Sequence, residues 1–229
     1  MARLRRLVLQ GQAHRLRLRG HNGQAIVLDQ AEAAGWGDLL RDVAVTHRVA
    51  VHAWSLHSDR FDLVATPMTP QGLSRMMQSL ARRHAAAFNR RHGRSGTLWD
   101  GRYQCCLLDP SQWVTDAMLE VESLPEEGAA ASWGSSLPHH LGQLRDPLVT
   151  EPPAWWALGN TPFEREAAWQ RLTTQGLAAS RLDRMEAALR RGWPLGEPAF
   201  LDSLSLGTDV KVAPRARGRP PKGLRPAPP

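Results

Sequence analysis

Val51-His-Ala-Trp-Ser-Leu-His-Ser-Asp-Arg-Phe-Asp-Leu-Val-Ala-Thr-Pro67 decides how this chain is read. Residues 49–56 and 60–66 are rich in β-branched and aromatic side chains, and the polar stretch 57–59 separates them. That pattern predicts two antiparallel strands joined by a tight turn. On the second strand Arg60 and Asp62 are two apart and share a face, while Phe61 and Leu63 point the other way. Two polar side chains held together on a sheet face are where a site would be built. His52 and His57 flank the hairpin, and at a spacing of five on a strand they are expected to face opposite sides.

Upstream of the hairpin, His14-Arg-Leu-Arg-Leu-Arg19 alternates strictly, as a strand with leucines on one face and arginines on the other would. Arg15, Arg17 and Arg19 then read either as a solvated face or as a row facing phosphates. A helix is expected from about Asp29 to His47, weakened by Gly35 and Gly37. Downstream, Thr69-Pro70 reads as a capped helix start. Leu73, Met76, Met77, Leu80 and Phe88 mark its buried face to about Arg90, with Arg75, Arg82, Arg83, Arg90 and Arg91 on the other. A basic glycine-containing loop with Arg94 follows, and then Leu98-Trp-Asp-Gly-Arg-Tyr103. Arginines such as Arg102 interleaved with Trp99 and Tyr103 suit single-strand or hairpin recognition, where guanidinium meets phosphate and rings stack on bases. The plainer alternative has both rings packed on the sheet edge. A last strand over 103–108 and a helix over 110–123 complete the order strand, helix, strand, strand, helix, strand, helix. That is an α+β, ferredoxin-like split βαβ domain, an antiparallel sheet with helices on one face, extended by helices at its C-terminal side.

Charge is segregated along the chain. Residues 1–104 carry 16 arginines against 7 acids, residues 105–209 carry 7 arginines against 15 acids, and residues 210–229 carry 6 basic residues and no acid. The sign change points to a polyanionic partner for the first and last parts. The adjacent Cys105 and Cys106 suit neither an ordinary structural disulfide nor a chelating pair, and a reducing cytoplasm is the expected setting. No run of about 18 apolar residues is present to cross a bilayer.

The motifs resemble those of the single-tyrosine HUH transposases, in the bacterial branch associated with repetitive extragenic palindromes. The matching stretches are Arg19-Gly-His-Asn-Gly-Gln24, Val51-His-Ala-Trp54, Ala65-Thr-Pro67, Gly72-Leu-Ser-Arg-Met-Met77 and Phe88-Asn-Arg-Arg-His-Gly-Arg-Ser-Gly-Thr-Leu-Trp-Asp-Gly-Arg-Tyr103. The likeness spans about residues 1–125 and returns weakly at Thr161-Pro-Phe-Glu-Arg165. It implies a His-hydrophobic-His pair holding Mg²⁺ or Mn²⁺ and a helix-borne tyrosine that attacks a phosphodiester of single-stranded DNA. A polar residue four positions after the tyrosine completes the metal site. Those positions fall here on Arg60, Asp62, Glu120 and Leu124, all four changed. Arg60 offers no lone pair to a cation. Tyr103, the one tyrosine of the sequence, matches the basic strand motif and not the nucleophile. The resemblance therefore implies a DNA-facing fold without its metal, and without catalytic residues. Arg60 beside Asp62 would then either keep a phosphate spot without a cation or form a structural bridge.

Residues 126–209 read as a wrapping loop anchored by Trp133, Trp155 and Trp156, followed by a helical hairpin. Thr161-Pro-Phe-Glu164 has the pattern of a capping box, and Gly192 closes the second helix. Residues 210–229 read as a disordered basic tail in which Arg217-Gly-Arg219-Pro resembles an AT-hook core for the minor groove of A·T-rich DNA. Together these readings give a nucleoid-associated protein that binds hairpin or single-stranded palindromic DNA without cutting it. Two alternatives stand beside it. One is an active nickase in which Glu120 or Asp62 recruits a metal. The other is a partner or inhibitor that blocks or assembles with an active relative, and a homo-oligomer is a further partner to expect.

Overall fold

A computed structural model describes residues 6–123 and 132–207. Five strands among them form one antiparallel sheet in the order β4-β1-β3-β2-β5, from β1 His14–Arg19, β2 Val49–His57, β3 Arg60–Pro67, β4 Gln104–Leu107 and β5 Ser132–Ser135. The hairpin forms as its sequence predicts, and β3 lies at the centre with seven of its eight residues buried.

Side chains alternate across the sheet and define two cores. One face carries Leu16, Leu18, Phe61, Leu63 and Cys105, covered by α1 (Gln30–Thr46) and α2 (Gly72–Arg91). Asp29 caps α1 by accepting from the Glu32 amide at 2.9 Å, and the helix runs through Gly35 and Gly37 because Trp36 between them is fully buried. The indole packs edge-on against Phe61 with ring centroids 4.8 Å apart. Burying a whole indole outweighs the roughly 1 kcal/mol that each glycine costs.

The start of α2 departs from its sequence reading. Thr69-Pro70 forms a turn, closed by the Gly72 amide donating to the Thr69 carbonyl at 3.1 Å, and the helix begins at Gly72 with no side-chain cap. A Cβ at position 72 would stand 2.7 Å from the His47 carbonyl oxygen, so only glycine lets the helix end come this close to the loop before β2.

The second face carries Ala53, Val64 and Cys106. It is covered by α3 (Trp113–Glu122), α6 (Pro162–Gln175) and α7 (Ala179–Arg191), with the short helices α4 (Leu137–His140) and α5 (Pro153–Trp156) between. The split βαβ helices thus share one face, and the C-terminal extension closes the other. The Thr161 capping box forms in full, and Gly192 ends α7 in the left-handed conformation at φ 72°. Of the three expected tryptophan anchors, Trp155 is buried and Trp133 half-buried, but Trp156 is 53% exposed under the Arg165 guanidinium. A further helix, α8 (Pro198–Gly207), brings Leu204 onto Leu7 and Leu107. Glu122 joins the extension to the sheet. Its carboxylate accepts from Trp169 Nε1 at 2.9 Å and from Ser136 Oγ, and lies 2.6 Å from His140 Nδ1.

A bulge between Val51 and Ala53 changes the histidine geometry expected from simple alternation. The extra residue puts His52 beside Thr66, Nε2 to Oγ1 at 2.7 Å, while His57 reaches Ser55 at 3.2 Å on the same face. Both histidines are buried and engaged within the structure. Burial also lowers their proton affinity, as it does for His84, and it holds His14 at about 4 although a backbone hydrogen bond to Gln12 partly opposes it.

These neutral histidines make the fold acid-sensitive. The unfolded chain takes up protons near pH 6.5 while the folded chain does not, so their contribution is present above that pH and lost as pH falls below it. Urea midpoints measured from pH 7.5 down to 5 are expected to fall steadily, and a flat profile would contradict the burial described.

Candidate functional site

The positions singled out on β3 and α3 meet on the second face of the sheet. Arg15 and Arg17 on β1 stand opposite Val64 and Asp62 on β3. Asp62 Oδ1 accepts from Arg15 Nη2 at 2.7 Å and from Arg17 Nε at 2.6 Å, and Oδ2 accepts from Arg60 Nε at 3.1 Å. Glu120 of α3 reaches over the same arginines. Its Oε2 accepts from Arg15 Nε at 2.6 Å, and Oε1 accepts from Arg15 Nη2 and Arg17 Nη2, each at 3.1 Å. Glu186 of α7 takes the remaining Arg17 nitrogen at 2.6 Å. Three guanidiniums therefore meet three carboxylates, with Asp59 beside Arg60 at 3.5 Å.

Burial makes this cluster strong. Arg15 is 1% exposed and Asp62 3%. Burial by itself would push the Asp62 carboxyl up, but the adjacent Arg15 and Arg17 hold it well below the usual carboxylate range. Burial likewise opposes the charge on Arg15, and Glu120 and Asp62 more than restore it. At neutral pH Arg15, Arg17 and Asp62 therefore all carry charge. With these pairings the cluster's only half-open member on β3 is Arg60, at 24% side-chain exposure.

No protein-family model matches the chain, and none of the curated proteins does. Among solved structures, it is similar to a REP-associated tyrosine transposase bound to a REP hairpin. The identity is 12% and the TM-score 0.52, over 66% of this chain and 92% of that one. The fold is that of a REP-associated tyrosine transposase. A candidate transposase from Deinococcus radiodurans R1 aligns at 27% identity over 49% of this chain and 88% of that one, with a TM-score of 0.35.

On this transposase fold, the divalent cation that the sequence resemblance implies does not suit the side chains present. Both oxygens of Asp62 and both of Glu120 already accept from guanidiniums, which repel a cation placed among them. Among the described residues, no three His, Cys, Asp or Glu side chains converge as metal ligands. Leu124 lies outside the described residues. Tyr103 sits on the same side of the sheet as Cys105, the face opposite Glu120, and burial there pushes its hydroxyl up to about 12. It is therefore remote from the cluster and a poor nucleophile at neutral pH.

The residues expected to meet phosphate divide into two groups. Arg15 and Arg17 do line one face together, as the alternation predicts, but α3 and α7 cover that face and the cluster consumes their donors, so a row open to phosphate is corrected to a buried ionic core. Arg83 pairs with Asp42, and Arg91 with Asp29 at 2.5 Å. Arg94 donates to Gln24 at 2.5 Å from an exposed position. The side chains of Arg19, Arg82, Arg90 and Arg102 are exposed and make no hydrogen bond or ion pair among the described residues. Trp99 is not an open stacking platform. It is 8% exposed, tilts against Trp36 and His84, and donates Nε1 to the Ala81 carbonyl at 2.8 Å. Tyr103 is half-buried with the Arg6 guanidinium 4.0 Å above its ring. Both rings pack at the sheet edge. Arg217 and Arg219 lie outside the described residues.

Glu186, which completes the cluster from α7, has no motif to mark it; the one signal is the excess of acids after residue 104 facing the excess of arginines before it.

Removing one carboxylate strands a buried guanidinium. Asp62→Ala is expected to destabilise the protein by about 3–5 kcal/mol in urea unfolding. The triple variant Arg60→His, Asp62→His, Glu120→Tyr, which installs the residue types that the sequence resemblance implies, is expected to fold only when Arg15 and Arg17 are replaced as well. A folded, metal-binding triple variant with both arginines intact would refute this account. The Asp62 contribution, arising from a depressed pKa, persists at neutral pH and fades only below the ordinary carboxylate range.

Proposed function

We propose that this protein binds DNA through a transposase fold whose nicking apparatus has been replaced by an ion-pair core. Its ligand on this reading is a hairpin of a palindromic repeat with single-stranded flanks, which it holds without cutting. The structurally similar transposase is bound to a REP hairpin, which supports the choice of ligand. The observation that carries the loss of chemistry is the engagement of Asp62 and Glu120 by Arg15 and Arg17. Those carboxylates stand where a cation ligand and a nucleophile would be required.

Binding on this reading belongs to a subset of the exposed arginines without carboxylate partners: Arg19 at the end of β1, Arg82 and Arg90 on α2, Arg94 after it, and Arg102 before β4. Guanidiniums free of internal counter-charges can neutralise phosphates, and each such contact releases counterions. Arg217 and Arg219 would add a duplex contact in the minor groove. No helix among the described residues is long and apolar enough to cross a membrane. Contact with a second copy or with a catalytically competent relative is compatible with the same arrangement.

The test is a gel-shift and cleavage assay of full-length protein with labelled hairpin DNA bearing single-stranded flanks. Binding is expected to be unchanged by EDTA and to weaken steeply with salt. Incubation with Mg²⁺ or Mn²⁺ is expected to give neither a nick nor a covalent adduct. Metal-dependent scission by the wild-type protein would sink the proposal, and so would a failure to bind.

A further inference from the structure

Arg165 on α6 is 7% exposed, yet no carboxylate among the described residues comes within ion-pair distance of its guanidinium. Nη1 donates to the Gly159 carbonyl at 2.9 Å, and the guanidinium carbon stands 4.4 Å from the centroid of the Trp156 ring. Nε is buried and has no hydrogen-bond partner among the described residues. The buried guanidiniums of Arg15 and Arg17 each meet two or more carboxylates, as a charge withdrawn from water requires. Arg165 is the exception, and what it lines suggests a reason.

It faces a cleft of about 470 Å³ between α6 and the segment 139–156, within the roughly 300–1,000 Å³ of small-molecule sites. The exposed Arg145 lines the same cleft and also makes no hydrogen bond or ion pair among the described residues. Two carboxylates line it as well. Glu166 lies across Gly142, where a Cβ would stand 2.5 Å from the carboxylate carbon, and it too makes no polar contact among the described residues. Glu151 is oriented by His139. The Asp146 amide donates to His139 Nδ1 at 3.0 Å, which leaves the ring hydrogen on Nε2, 3.3 Å from Glu151 Oε1. Opposite charges therefore share one cleft without pairing with each other. Leu144 and Trp156, both exposed, add apolar surface beside them.

Charge selects the occupant. A phosphate ester would bring excess negative charge against Glu151 and Glu166, and a simple cation would meet Arg145 and Arg165. Two guanidiniums balance two carboxylates, so the matching molecule is neutral overall and carries both signs, with a hydrocarbon part for Leu144 and Trp156. We infer that this cleft binds a free α-amino acid with an apolar side chain. Arg165 and Arg145 take its carboxylate, Glu166 and Glu151 take its ammonium, and the side chain lies against Leu144 and the indole. The site belongs to the C-terminal extension and does not depend on the DNA-binding reading.

Isothermal titration calorimetry of the full-length protein tests this with L-leucine and L-phenylalanine. Their carboxamides, which lack the carboxylate, and their N-acetyl forms, which lack the ammonium, serve as blocked probes. At least one free amino acid is expected to bind with a Kd of about 1 mM or tighter. Both of its blocked forms are expected to bind about tenfold more weakly or worse, since each forfeits a charge-assisted contact. Glu166→Gln is expected to weaken the free amino acid about tenfold and leave the N-acetyl form unchanged, and Arg165→Met to weaken it by a similar factor and leave the carboxamide unchanged. Binding of neither free amino acid overturns the inference, and so does a blocked form that binds as tightly as the free one. Wild-type affinity in Glu166→Gln or Arg165→Met overturns the placement in this cleft. If a variant fails to fold by circular dichroism, the blocked probes on the wild-type protein decide alone.

Discussion

Arg15 is a guanidinium held at 1% exposure in the middle of a sheet, and the architecture of the second face follows from the need to neutralise it. Withdrawing such an ion from water costs several kcal/mol unless charged partners with good geometry replace the solvent. Asp62 from the neighbouring strand and Glu120 from the covering helix do so at 2.7 and 2.6 Å. Arg17 repeats the arrangement and extends it to Glu186 on α7. One ionic cluster thereby ties β1, β3, α3 and α7 together. It joins the extension to the sheet and couples Asp62 and Glu120 to Arg15 and Arg17.

The same cluster changes the meaning of the charge pattern. The arginine excess before residue 104 and the acid excess after it look like a surface prepared for a polyanion, yet part of both is interior. Arg15 and Arg17 meet acids drawn from β3, α3 and α7, while Arg83 and Arg91 meet acids of α1 and its cap. Arginines left without acidic partners include Arg19 at the end of β1, Arg75, Arg82 and Arg90 on α2, and Arg102 before β4. On the reading proposed above most of that set offers its guanidiniums to a nucleic acid, and Arg19 among them lies opposite Arg60 of the ionic core.

Local rules carried far in this chain. The hairpin, the start of α1 at Asp29, the Thr161 capping box and the helix stop at Gly192 are all decided by residues within a few positions of one another, and each is present as its sequence reads. Where a rule failed, a longer-range contact prevailed. Thr69-Pro70 has the composition of a helix start, but Gly72 packing under the His47 carbonyl sets the boundary instead. Strict alternation places His52 and His57 on opposite faces, and a single bulged residue reverses that.

The sequence by itself determined the strand and helix order through α3, the pairing of Arg60 with Asp62 on one face, and the identity of the residues at the positions the resemblance assigns to catalysis; the stretch that holds β5, α4 and α5 read as a loop. What it determined depends on residue type and on the periods of the strand and helix. Tertiary structure alone decided that Arg15 and Arg17 lie inside. Their fate depends on Glu120 and Glu186, which are 105 and 169 residues away in the chain, and no local pattern reports what will cover a strand's second face. An alternating basic strand is compatible with water, phosphate or carboxylate opposite it, and only the packing of α3 and α7 selects among the three.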